Sequence, residues 1–365
     1  MKLNLDKTLK KLLPNKKLSR KKKKGNRKLK TYQQTTTKPE IVIVKHCKTE
    51  EELKSKEGHF YEPKDFKKIV STNCDVYAID ENDKKFILLK LRKGVIPEDV
   101  SISAYMALEK QAKHFNDNRG AAAGLVRKSQ LPDYVDKITN RDKYRVNYID
   151  NKGIERKGHI SNRVRSNIIG YYDMPDRNAL KRDGHAPKCR QTAFTRDKVS
   201  KWTKAIPIFQ VADSQFKKLM PSRHRVQLER CCKTRDFQIA NTAFSTITIN
   251  YNYRSALHKD AGDLEEGFGN LMVLEKNKCI SKDDNNINSQ NEIYPYTGGF
   301  LGFPKYGVAV DVRQGDYLAM NVHEWHANCP IVCGCPKGKK CNKGIEHHGR
   351  LSLVCYLRKN MINCY

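Results

Sequence analysis

Negative charge is what this sequence has too little of. Only 40 acidic residues stand against 71 lysines and arginines, a formal balance of +31 over 365 residues. Such a deficit favours a polyanionic partner, most simply nucleic acid, whose phosphates release counterions when they are neutralised. An acidic protein or an anionic membrane surface would satisfy the same charge. Long apolar runs are missing too. No stretch of roughly eighteen apolar residues occurs, so no transmembrane helix is expected. The basic N-terminal residues lack the continuous apolar segment of a secretory signal, so a secreted protein is not expected. Cysteine is sparse for a disulfide scaffold, 12 in 365 residues. Reduced thiols are therefore expected, in a cytosolic or nuclear setting. No internal repeat is present.

What is there sorts into three stretches. Residues 1–40 form a basic arm with Lys21, Lys22, Lys23 and Lys24 in a row. Like charges at that density repel and stay unfolded until phosphates neutralise them, which makes these lysines nucleic-acid-binding candidates. Residues 41–240 read as an α/β region that packs on the core and contributes to nucleic-acid binding. Short strands are expected at 41–44, 76–79 and 86–91, and a helix over 101–115 with Ser101 as its cap. Residues 128–159 are charged and turn-rich. Three short helices are expected at 197–204, 212–219 and 222–232, separated by Pro207 and Pro221. Arg223, Arg225 and Arg230 in that region face either phosphate or plain solvent.

Residues 241–360 change character. Over 242–249 the side chains alternate, Phe244, Thr246 and Thr248 to one side and Ser245, Ile247 and Ile249 to the other, which is a strand signal. Further strands are expected at 268–275, 298–304, 308–312, 317–322 and 351–357, punctuated by Gly302, Gly307 and Gly315. Many short strands with glycine turns suggest a sandwich or jelly roll rather than a parallel sheet.

His258 and Asp260 stand two apart just beyond the alternating strand. On a strand, residues two apart share a face, so an imidazole and a carboxylate can converge on one point. A distant histidine would complete the two-histidine, one-carboxylate set that leaves positions open on Fe(II). Alone, His-x-Asp is a weak signal, and a solvated pair is the better reading of it. The segment 315–330 supplies two competing histidines. His326 is preferred because it opens the following strand, whereas His323 sits at the preceding corner. Arg350 and Ser352 then share one face of the last strand. A guanidinium grips a carboxylate with two parallel bonds and a neighbouring hydroxyl adds a third, which suits the distal carboxylate of 2-oxoglutarate. An internal salt bridge is the plainer role for Arg350. Between His326 and Arg350, Cys329, Cys333, Cys335 and Cys341 either hold zinc or belong to a reduced insertion. Their gaps fit no standard finger and favour the insertion.

The order His-x-Asp, His, Arg-x-Ser resembles the Fe(II)/2-oxoglutarate dioxygenases. The fuller pattern resembles their TET/JBP branch, the nucleic-acid base oxidases that include the base J-binding proteins. The stretches that carry the resemblance are Asn118-Arg119-Gly120-Ala121-Ala122-Ala123-Gly124, Arg190-Gln191-Thr192-Ala193-Phe194-Thr195, residues 243–269, Tyr296-Thr297-Gly298-Gly299-Phe300, and residues 315–330 with 350–356. The resemblance implies an α+β chain with a double-stranded β-helix core, jelly-roll and cupin-like, flanked by N-terminal helices. It implies hydroxylation of the 5-methyl group of thymine or 5-methylcytosine in DNA, with Fe(II), 2-oxoglutarate and O2. His258, Asp260 and His326 would hold iron and Arg350, with Ser352, the co-substrate. A base in duplex must leave the stack to reach such a site. Tyr251, Tyr253, Phe268 and Phe300 are the aromatic candidates to receive it, and Arg190, Asp263 and Asn270 the polar candidates for its edge. Two other readings stay open: the same chemistry on a protein side chain or free nucleotide, and an inactive basic nucleic-acid-binding protein.

Overall fold

A computed structural model describes residues 38–126, 135–142, 145–158, 162–173, 189–279, 294–336 and 348–364. The lysine run at 21–24 and Cys341 lie outside them. In chain order come β1 (Glu40–Lys45), α1 (Glu50–Ser55), β2 (Lys68–Val70), β3 (Cys74–Ile79), β4 (Lys85–Arg92) and α2 (Glu98–Ala112). Then follow β5 (Val135–Asp142), β6 (Arg145–Asp150), β7 (Glu155–Gly158), β8 (Ser166–Tyr172) and β9 (Arg190–Gln191). The helices α3 (Ala193–Asp197), α4 (Val199–Leu219) and α5 (Pro221–Cys232) precede β10 (Thr246–Tyr251) and β11 (Gly269–Glu275). Last come β12 (Tyr296–Gly298), β13 (Leu301–Phe303), β14 (Val308–Val310), β15 (Tyr317–Met320), β16 (Ala327–Asn328), β17 (Ile331–Cys333) and β18 (Arg350–Tyr356).

Nine strands form one mixed sheet in the order β1-β3-β4-β15-β11-β18-β10-β8-β9, and four form a second, β16-β13-β14-β2. Strands from before and after residue 240 share both sheets. The alternation in β10 and β18 decides how the layers stack. Ile247, Ile249 and Tyr251 of β10, with Leu351, Leu353 and Cys355 of β18, pack against Tyr105 and Leu108 of α2 and Phe209 and Phe216 of α4. On the opposite face, Leu271, Val273, Leu318 and Met320 meet Leu301, Phe303, Val308 and Val310 of the second sheet. Each such side chain contributes about 1.5–3 kcal/mol on burial, so helices, large sheet and small sheet are held as three layers. Between the two sheets, on the polar side of β10 and β18, a gap remains.

Several expectations need correcting. α4 runs unbroken for 21 residues with Pro207 inside it. A mid-helix proline costs about 3 kcal/mol, but Pro207 is solvent-facing while Ala205, Ile208, Phe209, Ala212 and Phe216 are buried, and that burial outweighs the lost bond. The α2 helix starts at Glu98, and Ser101 is a buried residue within it rather than its cap. Residues expected only to be charged and turn-rich contain the three-stranded sheet β5-β6-β7. The expected strand 298–304 is split, because Gly298 and Gly299 both turn to positive φ, +75° and +72°. Cys189 and Cys364 are brought side by side, with their Cα atoms 5.7 Å apart. Among the described residues, no helix is long and apolar enough to cross a membrane.

Candidate active site

His258 and Asp260 do not sit on a regular strand. His258 makes a single antiparallel bridge with His326, and this one bridge brings the two histidines together across the gap. Asp260 follows, its N–H donating to the Val322 carbonyl at 3.1 Å. The result is a cluster of His258, Asp260 and His326 whose donor atoms all lie within 4.8 Å of one another, the one such group of three among the described residues. Each imidazole turns Nδ1 to a carbonyl, His258 to Ala256 at 2.8 Å and His326 to Glu324 at 2.9 Å. That partner keeps the proton on Nδ1 and leaves the Nε2 lone pair facing Asp260, at 3.5 Å from His258 and 3.7 Å from His326. A protonated Nδ1 and a bare Nε2 is the state a metal-binding histidine needs.

The electrostatics agree with a cation-seeking cluster. Burial lowers the pKa of His326 to about 4, helped by repulsion from His258, so its ring is neutral near pH 7. Burial also opposes a charged His258, but the hydrogen bond and charge of Asp260 outweigh it and raise that pKa. Burial opposes charge on Asp260 too, yet both histidines beside it hold its carboxyl below the usual range.

Around the cluster is a cavity of about 260 Å³. Its walls are built from the polar faces read in the sequence: Thr248 and Asn250 of β10, Ser352, Val354 and Tyr356 of β18. Ser352 Oγ accepts from the Asn250 amide at 3.3 Å. Arg350 stands on the same face of β18, two residues before Ser352, but does not itself line the cavity. It is 3% exposed, and its Nε is buried without a hydrogen-bond partner. A buried guanidinium nitrogen left unpaired is costly, and no internal salt bridge of Arg350 is seen among the described residues. An incoming carboxylate would satisfy it.

Tyr253 and Asp263 reach the cavity as expected. Tyr253 donates its hydroxyl to the Ala122 carbonyl, so the ring is fixed as wall. Burial, and then the nearby charge of Asp260, push the Asp263 carboxyl well above the usual range. Three other candidates do not line the cavity. Asn270 spends its amide in the core, donating to Phe268 and Cys355 carbonyls at 2.8 and 3.2 Å and accepting from Tyr317. Arg190 bonds the Tyr172 hydroxyl and lies over its ring at 4.9 Å, away from the cavity. His323 instead turns Nε2 to the Leu264 carbonyl at 3.1 Å. Of the aromatic candidates only Tyr253 lines the cavity; Tyr251 and Phe268 are helix-side core and Phe300 packs by Trp325 and Ala327. Arg223 bonds the Glu266 carbonyl, Arg230 pairs with the Glu266 carboxylate at 3.6 Å, and neither enters the cavity. Cys329, Cys333 and Cys335 are buried but form no metal-binding group among the described residues, so zinc gains no support.

Three contributors escaped the sequence. Arg119 lines the cavity with Nη2 buried and unbonded; it lies in the 118–124 stretch that carries part of the resemblance, though no role was expected of it. Arg358 also lines it, and continuing the alternation Arg350, Ser352, Val354, Tyr356 by one step would have found it. Glu50 of α1 left no signal. Its Oε1 accepts from Lys259 Nζ at 2.7 Å and from Trp325 Nε1 at 2.8 Å. It thereby ties together the residue between His258 and Asp260 and the residue before His326.

The oxygenase domain of the 2OGFeDO superfamily, Tet_JBP, matches residues 168–359. The chain is 30% identical over 199 residues to the bifunctional helicase and thymine dioxygenase JBP2 of Leishmania tarentolae, covering 54% of this chain and 15% of that protein. It is 26% identical over 248 residues to thymine dioxygenase JBP1-B of Trypanosoma cruzi, covering 67% of this chain and 25% of that protein. The chain thus spans a quarter or less of the length of these relatives. A solved structure of NgTET1 in complex with 5mC DNA aligns with a TM-score of 0.45 and 11% identity, over 90% of this chain and 85% of that one.

Proposed function

This chain belongs to the Tet_JBP family of oxygenase domains, and from that premise we propose that it is a dioxygenase dependent on Fe(II) and 2-oxoglutarate that hydroxylates the 5-methyl group of a DNA pyrimidine. The names of its relatives favour thymine, giving 5-hydroxymethyluracil, over 5-methylcytosine. In this reading the two packed sheets are the halves of a double-stranded β-helix. The observation that carries the proposal is the triad itself: two Nε2 atoms and a carboxylate turned toward one another, with each Nδ1 already bonded to a carbonyl.

His258, Asp260 and His326 fit a ferrous ion, since two imidazoles and one carboxylate leave its remaining positions open. When bound, the iron with 2-oxoglutarate and O2 supplies the oxidation, in which one oxygen atom replaces a methyl C–H by C–OH and the other leaves in succinate, with release of CO2. The chain's own residues orient and shield. Arg350 offers its unpaired Nε to the distal carboxylate of 2-oxoglutarate, and Ser352, held by Asn250, adds a hydroxyl. Glu50 keeps both ligand-bearing segments in register. Tyr253 forms a fixed wall for an extruded base, and Asp263 meets the base edge. The overall positive charge and the lysine run at 21–24 supply attraction to phosphates.

The test is mass spectrometry of nucleosides after incubating the protein with Fe(II), 2-oxoglutarate and O2 on duplexes carrying thymine alone or 5-methylcytosine. Hydroxymethyl product is expected from the wild type and none from His258→Ala. Substrate-free turnover of 2-oxoglutarate with no product on either duplex would contradict the DNA assignment.

A further inference from the structure

Beside the metal-binding cavity, across Tyr253, lies a second and unassigned depression of about 270 Å³, lined by Phe60, Phe115, Arg163, Arg165 and Arg254 among others. Tyr253 lines both hollows, so the groove leads to the rim of the cavity. Among the described residues, three arginines and no acidic residue line it. Arg254 is bonded to the Glu62 carboxylate at 2.8 Å and the Tyr61 carbonyl at 2.7 Å, and braces the wall with its guanidinium 4.9 Å from the Phe60 ring centre. Arg163 is exposed and Arg165 half-buried. Both lie over Phe115, at 5.9 and 4.8 Å from its centre.

Phe115 is the unusual member. It is 52% exposed, yet its place is fixed, because the next residue, Asn116, exchanges both backbone hydrogen bonds with Val164 at 2.8 Å. About half of this apolar ring is left in solvent, beside two guanidinium groups. The combination of a rigid aromatic face, flanking cations and no carboxylate is what a single nucleic-acid strand requires, with phosphates on the cations and a base on the ring.

We propose that this groove seats the DNA strand on one side of the nucleotide that enters the cavity, with Arg163 and Arg165 on its phosphates and Phe115 as a platform for the neighbouring base. The proposal rests on the DNA-oxidising reading above. It also explains how an extruded base is presented, since the groove and the cavity share only the Tyr253 wall.

The experiment uses the full chain. Affinity for a labelled thymine-containing oligonucleotide is measured by anisotropy over a salt series, beside base oxidation and DNA-free 2-oxoglutarate turnover. The double variant Arg163→Ala/Arg165→Ala is expected to weaken binding by roughly tenfold or more and to reduce the slope of log K against log salt by about two. Arg163→Glu, at an exposed position that threatens no packing, should weaken binding at least as much. Phe115→Ala should weaken it roughly tenfold at every salt concentration. Arg163→Lys/Arg165→Lys should keep the slope. DNA-free turnover should not change in any of them. Wild-type affinity and slope in both Arg163→Glu and the double variant would overturn the groove, as would a wild type with no salt-dependent affinity for DNA. A wild type that oxidises DNA while the variants bind as it does defeats the groove alone. A wild type that binds through the groove but oxidises no base defeats the functional reading alone.

Discussion

His258 and His326 exchange both of their backbone hydrogen bonds, His258 N–H to the His326 carbonyl at 3.1 Å and His326 N–H to the His258 carbonyl at 3.0 Å. Their rings come to lie 4.3 Å apart, centre to centre. The spacing of the two imidazoles is therefore set by main chain, and the site exists before any metal arrives. His326→Gln keeps that bridge and should stay folded, but it should lose the rise in Tm that Fe(II) or Co(II) gives the wild type. At a hundredfold excess over Kd that rise corresponds to about 2.7 kcal/mol. Calorimetry with and without metal checks it; an equal rise in the variant would remove His326 from the metal.

Glu50 should matter to the metal although it does not touch it. Partners that orient ligands are worth roughly 10–100-fold in metal affinity. Glu50→Ala frees both Lys259 and Trp325 and should weaken metal binding within that range. Glu50→Gln, which still accepts from Trp325, should fall between. Competition with a chromophoric chelator reads the affinities directly.

Arg350 is expected to act on the co-substrate alone. Removing one partner of a buried charge pair costs about 2 kcal/mol or more, near 30-fold. Arg350→Ala should raise the KM for 2-oxoglutarate by at least that factor and leave metal affinity unchanged. Arg350→Lys should recover only part, since an ammonium cannot make the paired bonds of a guanidinium. Ser352→Ala should cost about 1 kcal/mol. Steady-state kinetics at saturating DNA separates the three.

Asp263 predicts a pH dependence of stability. Burial and the Asp260 charge raise its pKa, so the native protein keeps a proton that the unfolded chain has released. Its contribution is fully present below the ordinary aspartate range and is lost as pH rises above it. Asp263→Asn does not titrate. With metal removed by chelation, its Tm should match the wild type in acid and exceed it increasingly toward neutral pH. A gap that stays flat or closes as pH rises would contradict the assignment.

How far the sequence could be read follows from where the information sat. β10 and β18 were legible because one face is apolar and the other polar, and the two polar faces became the cavity wall. His326 over His323 was legible from strand order. Pro207 misled because a proline signal is local, while the burial that overrides it comes from α2 and the large sheet. The β5-β6-β7 sheet was missed because its strands, such as Val135–Asp142 with its four charged residues, carry no apolar run. Asn270 looked like a free polar group beside the site, yet its alternation places it against Tyr317. Glu50 was unreadable, being 209 residues from Lys259, with nothing in its own helix to mark the meeting.

The central claim is that His258, Asp260 and His326 hold one ferrous ion in the state that binds 2-oxoglutarate. Anaerobic titration of the wild type with Fe(II) and then 2-oxoglutarate, followed by visible absorption, tests it most directly. One ion per chain and a charge-transfer band that grows with 2-oxoglutarate are predicted, with the band missing from His258→Ala and Asp260→Ala. The same band at the same stoichiometry in those variants would contradict the account.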